Sequence, residues 1–480
     1  MRKTKAAARA ALTVVLLMWG SQALAITMPH SPDEYFPKDP GDKSHSFGLM
    51  LGASEFGDDV YLDYEAGLEL NFGLVGLGVS IPLHTLIWDN DPENTNPWYN
   101  KYLFRESDWD EVSDYFRILR YVRYGYKYAE ENWVYAMFGE LRGVNIGHGT
   151  ILGMYYNNLD PNHWTPGLQA DVYTPWGGVE TFFNNVTKPY VVGGRVYIKP
   201  YSFVDTESYW SNIAIGMTVM ADARAPKTFV MENKLDDSGN PVVDSNGNTV
   251  QIVRSTDDNF PDVATDDALV ALGWDVEFKV LNKEWIRLTP FIDVNHIVDN
   301  GTGMHLGVLA DFMFGVTINT RLEYRYFGDD YLPTYFDSFY EIERYMFAGT
   351  TIPKQIALKS VDGRHGYYAG ASVFFLDLVR LGATFEDYQG ADNSSLVMFL
   401  DIPALDIIEF SAMYFKLNFD DADEIFTFDE KSLFIAQAKF HYSMLVLYLQ
   451  FTRSWAFDDE SGSYEPFDNF GGGVGFEMNF

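Results

Sequence analysis

The sequence predicts an all-β fold, a transmembrane antiparallel β-barrel of about 16–20 strands. Apolar and polar residues alternate from about residue 60 to the end of the chain, which is typical of strands with one apolar and one wet face. The alternating segments run to roughly 10–13 residues, the length that a tilted strand needs to cross a bilayer. Short connections also alternate with long ones, as they do in such barrels.

Composition excludes several other classes of protein. The chain has 480 residues, no cysteine, a formal net charge of −34 and an aromatic content of 16%. Acidic disordered chains lack aromatic residues, and a disulfide scaffold or a Cys-based zinc module needs cysteine. No nucleic-acid partner is expected, because phosphate binding depends on an excess of Lys and Arg.

The first 25 residues predict a secretory signal peptide. A basic start that includes Arg2 and Arg9 precedes an apolar run, and Ala23 and Ala25 occupy the small positions of a cleavage site. The run is about ten residues long, which is too short for a membrane-spanning helix. The expected organisation is a cleaved signal peptide over 1–25, a short N-terminal segment over 26–45 and the barrel over 46–480.

The two faces of each predicted strand differ in polarity. Between Val60 and Asn71, apolar side chains fall on one face, while Asp63, Glu65 and Glu69 fall on the other. The same division recurs at about 192–199, 286–295 and 316–326. Tight turns are predicted at 72–73, 129–132, 175–178, 281–284, 314–315, 376–378 and 442–443, and long loops at about 84–112, 144–166, 222–268, 328–364 and 416–430.

The C-terminal segment N-F-G-G-G-V-G-F-E-M-N-F places Phe470, Val474, Phe476 and Met478 on one face and ends on Phe480. It resembles the last strand of bacterial outer-membrane β-barrel proteins, and as a pattern the resemblance extends over residues 46–480. The resemblance implies a bacterial outer-membrane location, short periplasmic turns and long outer loops. It also implies contact with outer-membrane lipids and lipopolysaccharide, and insertion by the barrel-assembly machinery with Phe480 as the assembly signal.

Charged residues of both signs occupy the lumen-facing positions of the predicted strands, while the acidic excess lies in the outer loops. A pore wall with both signs of charge tunes selectivity. The alternative is that Arg and Glu side chains pair and hold the wall together. The predicted pore-lining residues are Asp63, Glu65, Glu69, Arg123, Arg195, Lys199, Arg287, Asp293, Arg321, Glu323 and Arg325.

Residues 139–167 are rich in Gly, Asn and aromatic side chains. Since glycine permits tight turns, this segment is interpreted either as a loop that folds into the barrel and narrows it, or as an ordered cap. It resembles the strand-loop segment of carbohydrate-type porins, in which such a loop forms the constriction. The constriction-loop candidates are His148, Tyr155, Tyr156 and Trp164, and the rings of Tyr155, Tyr156 and Trp164 would stack on sugars. A metal site from His148, Asp160 and His163 is not predicted.

The remaining outer loops leave alternatives open. The acidic clusters are either plain solvated surface or sites for Ca²⁺ or Mg²⁺, whose preferred ligands are carboxylates; no other cofactor is expected. Residues 236–248 predict a pair of β-turns in a loop hairpin. The aromatic segment 328–352 predicts a short helix that either docks a partner or packs into the barrel mouth.

The polar inner face of a wide barrel predicts a porin-like channel for passive diffusion of small hydrophilic solutes. One alternative is a structural or adhesive surface barrel that acts through its acidic loops, and an oligomer is compatible with either function. The other alternative is a lipid-acting enzyme that uses His441 and Ser443. An enzyme is not expected, because neither residue has an acid or Asn partner at matching strand spacing and catalytic motifs are absent from the sequence.

Overall fold

The computed structural model describes residues 45–56, 59–88, 104–105, 108–127, 133–159, 163–236, 239–256, 260–375, 378–391, 393–405, 407–429 and 431–479. The predicted signal peptide, most of the segment that follows it, Asp160 and the terminal Phe480 lie outside these residues. The acidic positions 89–93 and the predicted turn 129–132 lie outside them as well.

The fold consists almost entirely of strands. These are β1 (His45–Phe56), β2 (Asp59–Phe72), β3 (Val75–Trp88), β4 (Tyr121–Tyr124), β5 (Val134–Gly139), β6 (Gly167–Thr174), β7 (Gly177–Phe183), β8 (Val191–Ile198), β9 (Ile213–Phe229), β10 (Met231–Asn233), β11 (Gln251–Val253), β12 (Val263–Phe278), β13 (Leu281–Lys283), β14 (Ile286–Ile297), β15 (Thr302–Met313), β16 (Val316–Phe327), β17 (Arg364–Phe375), β18 (Val379–Tyr388), β19 (Ser394–Leu405), β20 (Ile408–Phe419), β21 (Ser432–Tyr442), β22 (Leu445–Asp458) and β23 (Ser463–Asn479).

Within the residues that the structure describes, helical structure is limited to single turns. The α-helical turns are α1 (Tyr340–Glu343) and α2 (Lys354–Ala357), and 3-10 turns span Asp114–Ile118, Pro200–Phe203, Tyr209–Asn212, Phe347–Gly349 and Leu358–Ser360. Across the described ranges, no helix is both long and apolar enough to span a bilayer.

The strands close into one antiparallel barrel of 20 strands, which confirms the predicted fold class. Strand β13 continues β12, and β10 and β11 form a separate hairpin within an outer loop. Strand β1 pairs with β2 on one side and with β23 on the other, from Ser46 opposite Asn479 to Phe56 opposite Asn469. This closure leaves no open sheet edge, a condition that the hydrocarbon core of a bilayer imposes.

The two ends of the barrel differ in their connections. Tight turns at 73–74, 175–176, 284–285, 314–315 and 443–444 lie at one end, which we call the turn end. The long connections 140–166, 230–262 and 328–363 leave the opposite end, which we call the loop end. In outer-membrane barrels short turns face the periplasm and long loops face outward.

Side chains alternate between the membrane and the lumen as the sequence predicts. On β15 and β16, Leu306 and Leu322 are exposed on the outer wall, whereas His305 and Glu323 are buried inside. The C-terminal strand β23 likewise exposes Phe470, Val474 and Met478.

Two outer loops fold into the lumen and form a core with the inner wall. Leu152 of the connection 140–166 pairs in parallel with Phe336 of the connection 328–363. Tyr155, Phe336 and Tyr340 are completely or almost completely buried between these loops and the strands. Burial of each large apolar side chain stabilises the fold by about 1.5–3 kcal/mol. The segment 328–352 therefore packs into the mouth, and α1 is its predicted short helix.

The connection 230–262 contains the predicted pair of β-turns. The Gly239 amide donates to the Asp236 carbonyl at 2.8 Å, and the Gly247 amide donates to the Asp244 carbonyl at 3.0 Å. Both glycines adopt positive φ, at 79° and 83°, which residues with a Cβ adopt only with strain. The turns confirm the prediction for residues 236–248.

The assignment of faces predicts unequal effects of the same charge on neighbouring strands. Leu306→Arg places a guanidinium in the hydrocarbon, so the free energy of unfolding should fall by about 2–4 kcal/mol. Asn319→Arg places the same group in the lumen, where Asn319 donates to Asp311 at 2.7 Å, and should have a much smaller effect. Urea titrations of the protein in lipid vesicles, read by heat-modifiable gel migration, compare the two; equal losses of stability would contradict the assignment.

Candidate functional site

The tip of the loop 140–166, residues 147–150, reaches the inner wall. Gly147 and Gly149 have positive φ angles of 57° and 71°, which let the backbone reverse within a few residues. The Gly147 amide donates to Oε2 of Glu180 on β7 at 2.7 Å. A Cβ at Gly147 would lie 2.9 Å from Cδ of Arg195, so the close approach also needs glycine.

His148 holds this tip to two carboxylates. Its Nδ1 lies 2.8 Å from Oδ1 of Asp293, and its Nε2 lies 3.1 Å from Oε2 of Glu277. The ring stacks on Phe291 with centroids 4.1 Å apart, and Thr150 donates to the other oxygen of Asp293 at 2.7 Å. Burial alone would lower the pKa of His148, but the Asp293 and Glu277 carboxylates outweigh it and raise the pKa to about 10. His148 is therefore protonated at neutral pH, and we call its contacts with Asp293 and Glu277 the latch.

Arg195 forms the adjoining part of the wall. Its Nε donates to Asp275 at 2.9 Å, and its guanidinium lies 3.5 Å from Glu180. The guanidinium also lies over the ring of Tyr197, at 4.7 Å from the centroid. The structure thus places Arg195 and Asp293 together around the loop tip, with their charges already paired.

Arg321, Glu323 and Arg325 form a ladder on β16. Arg325 donates to Glu323 and Glu386 at 2.7 Å each, and Arg321 is paired with Glu323. Both guanidinium groups lie near the face of Tyr368, at 5.1 Å and 4.4 Å from its centroid. Because Glu323 and Arg325 are buried in this network, they stiffen the wall as buried pairs do.

Asp63 lies in a separate buried group on β2. It accepts a hydrogen bond from Ser54 at 2.9 Å and lies 3.8 Å from Nε2 of His84. His84 Nδ1 lies 2.6 Å from Asp108, a residue of the connection between β3 and β4 that also binds Arg105 at 2.8 Å. This group ties that connection to the inner wall.

The other predicted residues on β2 to β4 are less buried. Glu65 accepts from Ser80 at 2.5 Å, and Glu69 is held by Tyr121 and Arg120. Arg123 donates to the Gly125 carbonyl at 2.8 Å and lies over the ring of Tyr126.

Arg287 and Lys199 differ from Arg195, Arg321 and Arg325. Arg287 is exposed on the lumen side of β14 near the turn end, and Lys199 is half-buried directly after β8. Like Arg123, neither has a carboxylate within 4.0 Å in the part of the chain that the structure describes. In that part of the chain, these three are the predicted pore-lining cations without a carboxylate partner.

The anchors of the loop 328–363 were not predicted from the sequence. Asp222 on β9 accepts from the Tyr340 hydroxyl at 2.9 Å and from Nε of Arg344 at 3.1 Å. Lys354 on α2 donates to Asp337 and Glu343 at 2.6 Å each, within the loop. For Arg344 the available signal was a lone cation inside an aromatic segment, since Phe339, Tyr340, Tyr345 and Phe347 flank it in sequence.

The predicted aromatic candidates have no free ring faces. Tyr155 packs edge-on against Phe182 with centroids 5.0 Å apart, and Tyr156 packs against Phe415 at 6.3 Å. Trp164 is also buried. These rings fill the core between the loops and the wall, because burial of their apolar faces stabilises the inward fold, so they are not placed to stack on a sugar.

Two other sequence-based statements can be compared with the structure. His441 does have an acidic neighbour, because its Nε2 lies 3.1 Å from Oε1 of Glu409 on β20, so the expectation that it lacks one was wrong. His163 stacks on Phe260 at 3.5 Å. Among the described residues, no group of three or more His, Asp and Glu side chains could hold a metal ion.

Comparisons with known proteins identify no family for this chain. No protein-family model and no curated protein sequence matches the chain. Solved structures of Pseudomonas aeruginosa OccK11 (OpdR) and of OccK2 (OpdF) in complex with glucuronate match with TM-scores of 0.32, at 9% and 11% identity. Each match covers 91% of this chain, and they cover 95% and 96% of those chains.

A third match is the ferric enterobactin receptor (PfeA) in complex with BCV-L6, with a TM-score of 0.33 and 8% identity over 92% of this chain and 82% of that one. Matches this distant carry no argument about function. The chain is a closed antiparallel β-barrel of 20 strands.

The raised pKa of His148 predicts that the latch weakens in alkali. In an unfolded chain the pKa is near 6.5, so the stabilisation is fully present below pH 6.5 and is lost as the pH rises through about 10. Wild type should therefore exceed His148→Gln in stability by roughly 4 kcal/mol near pH 6, with the difference shrinking towards pH 10. Urea titrations across this pH range measure the difference, and a difference independent of pH would refute the latch.

Proposed function

We propose that the protein is a porin-like channel of the bacterial outer membrane that lets small hydrophilic solutes diffuse passively. The observation that supports this proposal is a 20-strand wall whose inner face carries both positive and negative charges. A barrel of that size is too wide for wall side chains alone to fill. The two inward loops supply a constriction within it.

The two halves of the lumen differ in how far they are filled. In the loop half, the connections 140–166 and 328–363 pack against the wall in two apolar clusters. In the turn half, lumen-facing charges such as Arg287, Glu409 and Lys439 remain exposed or half-buried. A solute entering from the periplasmic side meets a polar vestibule, so the loop half sets the resistance to passage.

The predicted pore-lining residues divide into two roles in this proposal. Asp63, Arg195, Asp293, Glu323 and Arg325 are buried and paired, so they shape the constriction rather than attract ions. Lys199, Arg287, Glu65, Glu69 and Arg123 are exposed or partly exposed, and we assign the electrostatic selectivity to them. The acidic outer loops add a preference for cations at the outer entrance.

A second candidate function is a surface barrel that acts through its outer loops. The connection 230–262 favours it, because Leu235 and Val243 are exposed there. Binding of Ca²⁺ or Mg²⁺ by acidic loops, contact with lipopolysaccharide, insertion by the assembly machinery and oligomer formation belong to the same set of proposals.

Shortening the inner loop should open the channel. The Asp330 amide donates to the Val361 carbonyl at 2.8 Å, so residues 331–360 can be replaced by a short Gly-Ser linker without separating β16 from β17. We expect a several-fold rise in single-channel conductance in planar bilayers, because the main filler of the loop half is removed. Heat-modifiable migration controls for folding, and absence of conductance in both folded proteins would reject the channel.

Removing an uncompensated lumen cation should change ion selectivity. In a KCl gradient, Arg287→Gln should move the reversal potential towards cation preference, because it removes a positive charge from the vestibule wall. Arg254→Gln removes the same charge from the outer hairpin loop, where Arg254 pairs with Asp262 at 2.8 Å, and serves as the matched control. If both variants keep the wild-type potential, Arg287 does not line the conducting path.

A further inference from the structure

The connection 199–212 between β8 and β9 is unlike the other connections at the turn end. It contains the 3-10 turns Pro200–Phe203 and Tyr209–Asn212. Two of its serine side chains, Ser202 and Ser211, are buried and only 4% and 8% exposed, while Phe203 and Val204 are 66% and 79% exposed. This arrangement is the reverse of that of a loop folded in water.

Hydrogen bonds within the connection hold this arrangement. The Ser211 hydroxyl donates to the Thr206 carbonyl at 2.9 Å, and the Val204 amide donates to the Tyr201 carbonyl at 2.9 Å. The Ser202 hydroxyl donates to the Ser211 carbonyl at 3.4 Å. These polar groups satisfy the hydrogen bonds of the backbone. The fold of the connection therefore does not depend on packing its exposed apolar side chains into an internal core.

The C-terminal part of the connection packs against the outer wall of the barrel. Tyr209 and Trp210 pack on Phe278, with centroids 5.1 Å and 5.9 Å apart, and the rings of Trp210 and Phe278 are nearly parallel at 14°. Phe278 follows Trp274 and Val276 on the membrane-facing side of β12, where both are exposed. The aromatic patch is therefore continuous with the lipid-facing wall.

Neighbouring turns carry exposed tryptophans at the same end. Trp176 lies in the turn between β6 and β7, where its carbonyl accepts from the Lys199 amide at 2.8 Å, and Trp285 lies in the turn before β14. Trp and Tyr concentrate where a bilayer meets water. A large exposed apolar patch on a water-soluble surface marks an interaction site. Here the adjoining outer wall of the barrel already faces the membrane.

We propose that residues 199–212 form an interfacial anchor that inserts Phe203, Val204 and Trp210 into the lipid surface at the turn end of the barrel. The partner is the phospholipid of the periplasmic leaflet. Asp205 and Glu207 stay on its water side, where the Glu207 amide donates to Oδ1 of Asp205 at 3.0 Å. These carboxylates favour zwitterionic over anionic headgroups, because like charges repel.

Site-directed spin labelling tests this placement, since the chain has no cysteine to interfere. Val204→Cys carries a nitroxide in phosphatidylcholine vesicles, and its collisions with oxygen and with a nickel chelate present on both sides of the membrane are measured. Leu447→Cys on the lipid-facing wall and Val243→Cys in the outer hairpin loop give the lipid and water references. We expect the label at 204 to match Leu447→Cys, with frequent oxygen collisions and few nickel collisions.

A label at 204 with the nickel accessibility of Val243→Cys would overturn the anchor. That result would leave the patch open to water and free for a periplasmic protein. Heat-modifiable migration shows whether each labelled barrel is folded, and Phe203→Cys replaces Val204→Cys if the latter does not fold. Phosphatidylglycerol vesicles form a second arm, in which the nickel accessibility at 204 should rise if the carboxylates disfavour anionic headgroups.

Discussion

An unpaired backbone N–H or C=O group costs several kcal/mol in hydrocarbon, and the whole architecture depends on avoiding that cost. Pairing of β1 with β23 closes the sheet, so that each strand has two neighbours. Closure around 20 strands produces an interior wider than wall side chains can fill. The inward loops and their ion pairs occupy the space that closure creates.

The filled interior explains why so many lumen charges are neutralised. A charge between the loop core and the wall has lost most of its water, and a buried carboxylate is tolerated when cations or hydroxyls bind it. Asp222 with Arg344, and Asp293 with His148, satisfy this requirement. The carboxyl group of Glu341 differs, because burial raises its pKa to about 8. This group accepts a hydrogen bond from Asn184 at 3.2 Å. Among the described residues, Arg287 is an uncompensated cation, and its side chain is exposed to water.

Local periodicity in the sequence was sufficient to predict the barrel, its wet and apolar faces, and most turns. It could not predict which loops fold inward, because that depends on partners far away in sequence: His148 and Asp293 are 145 positions apart, and Asp222 and Tyr340 are 118 apart. The contact between Glu409 and His441 was not predicted, because it depends on the register between β20 and β21. The rings of Tyr155 and Tyr156 were located in the correct loop, but their burial depends on β7 and β20.

The long-range contacts of the inner loops also constrain the order in which the barrel can be assembled. Thr334 donates to the Gly149 carbonyl across 185 positions, and the latch of His148 waits for β12 and β14. If strands are added in chain order, the loop 140–166 cannot complete these contacts until the second half of the wall is built. Such non-local contacts form late and slow folding. The interior is thus completed after the wall, and a barrel that has closed but not matured would be more permeable than the finished protein.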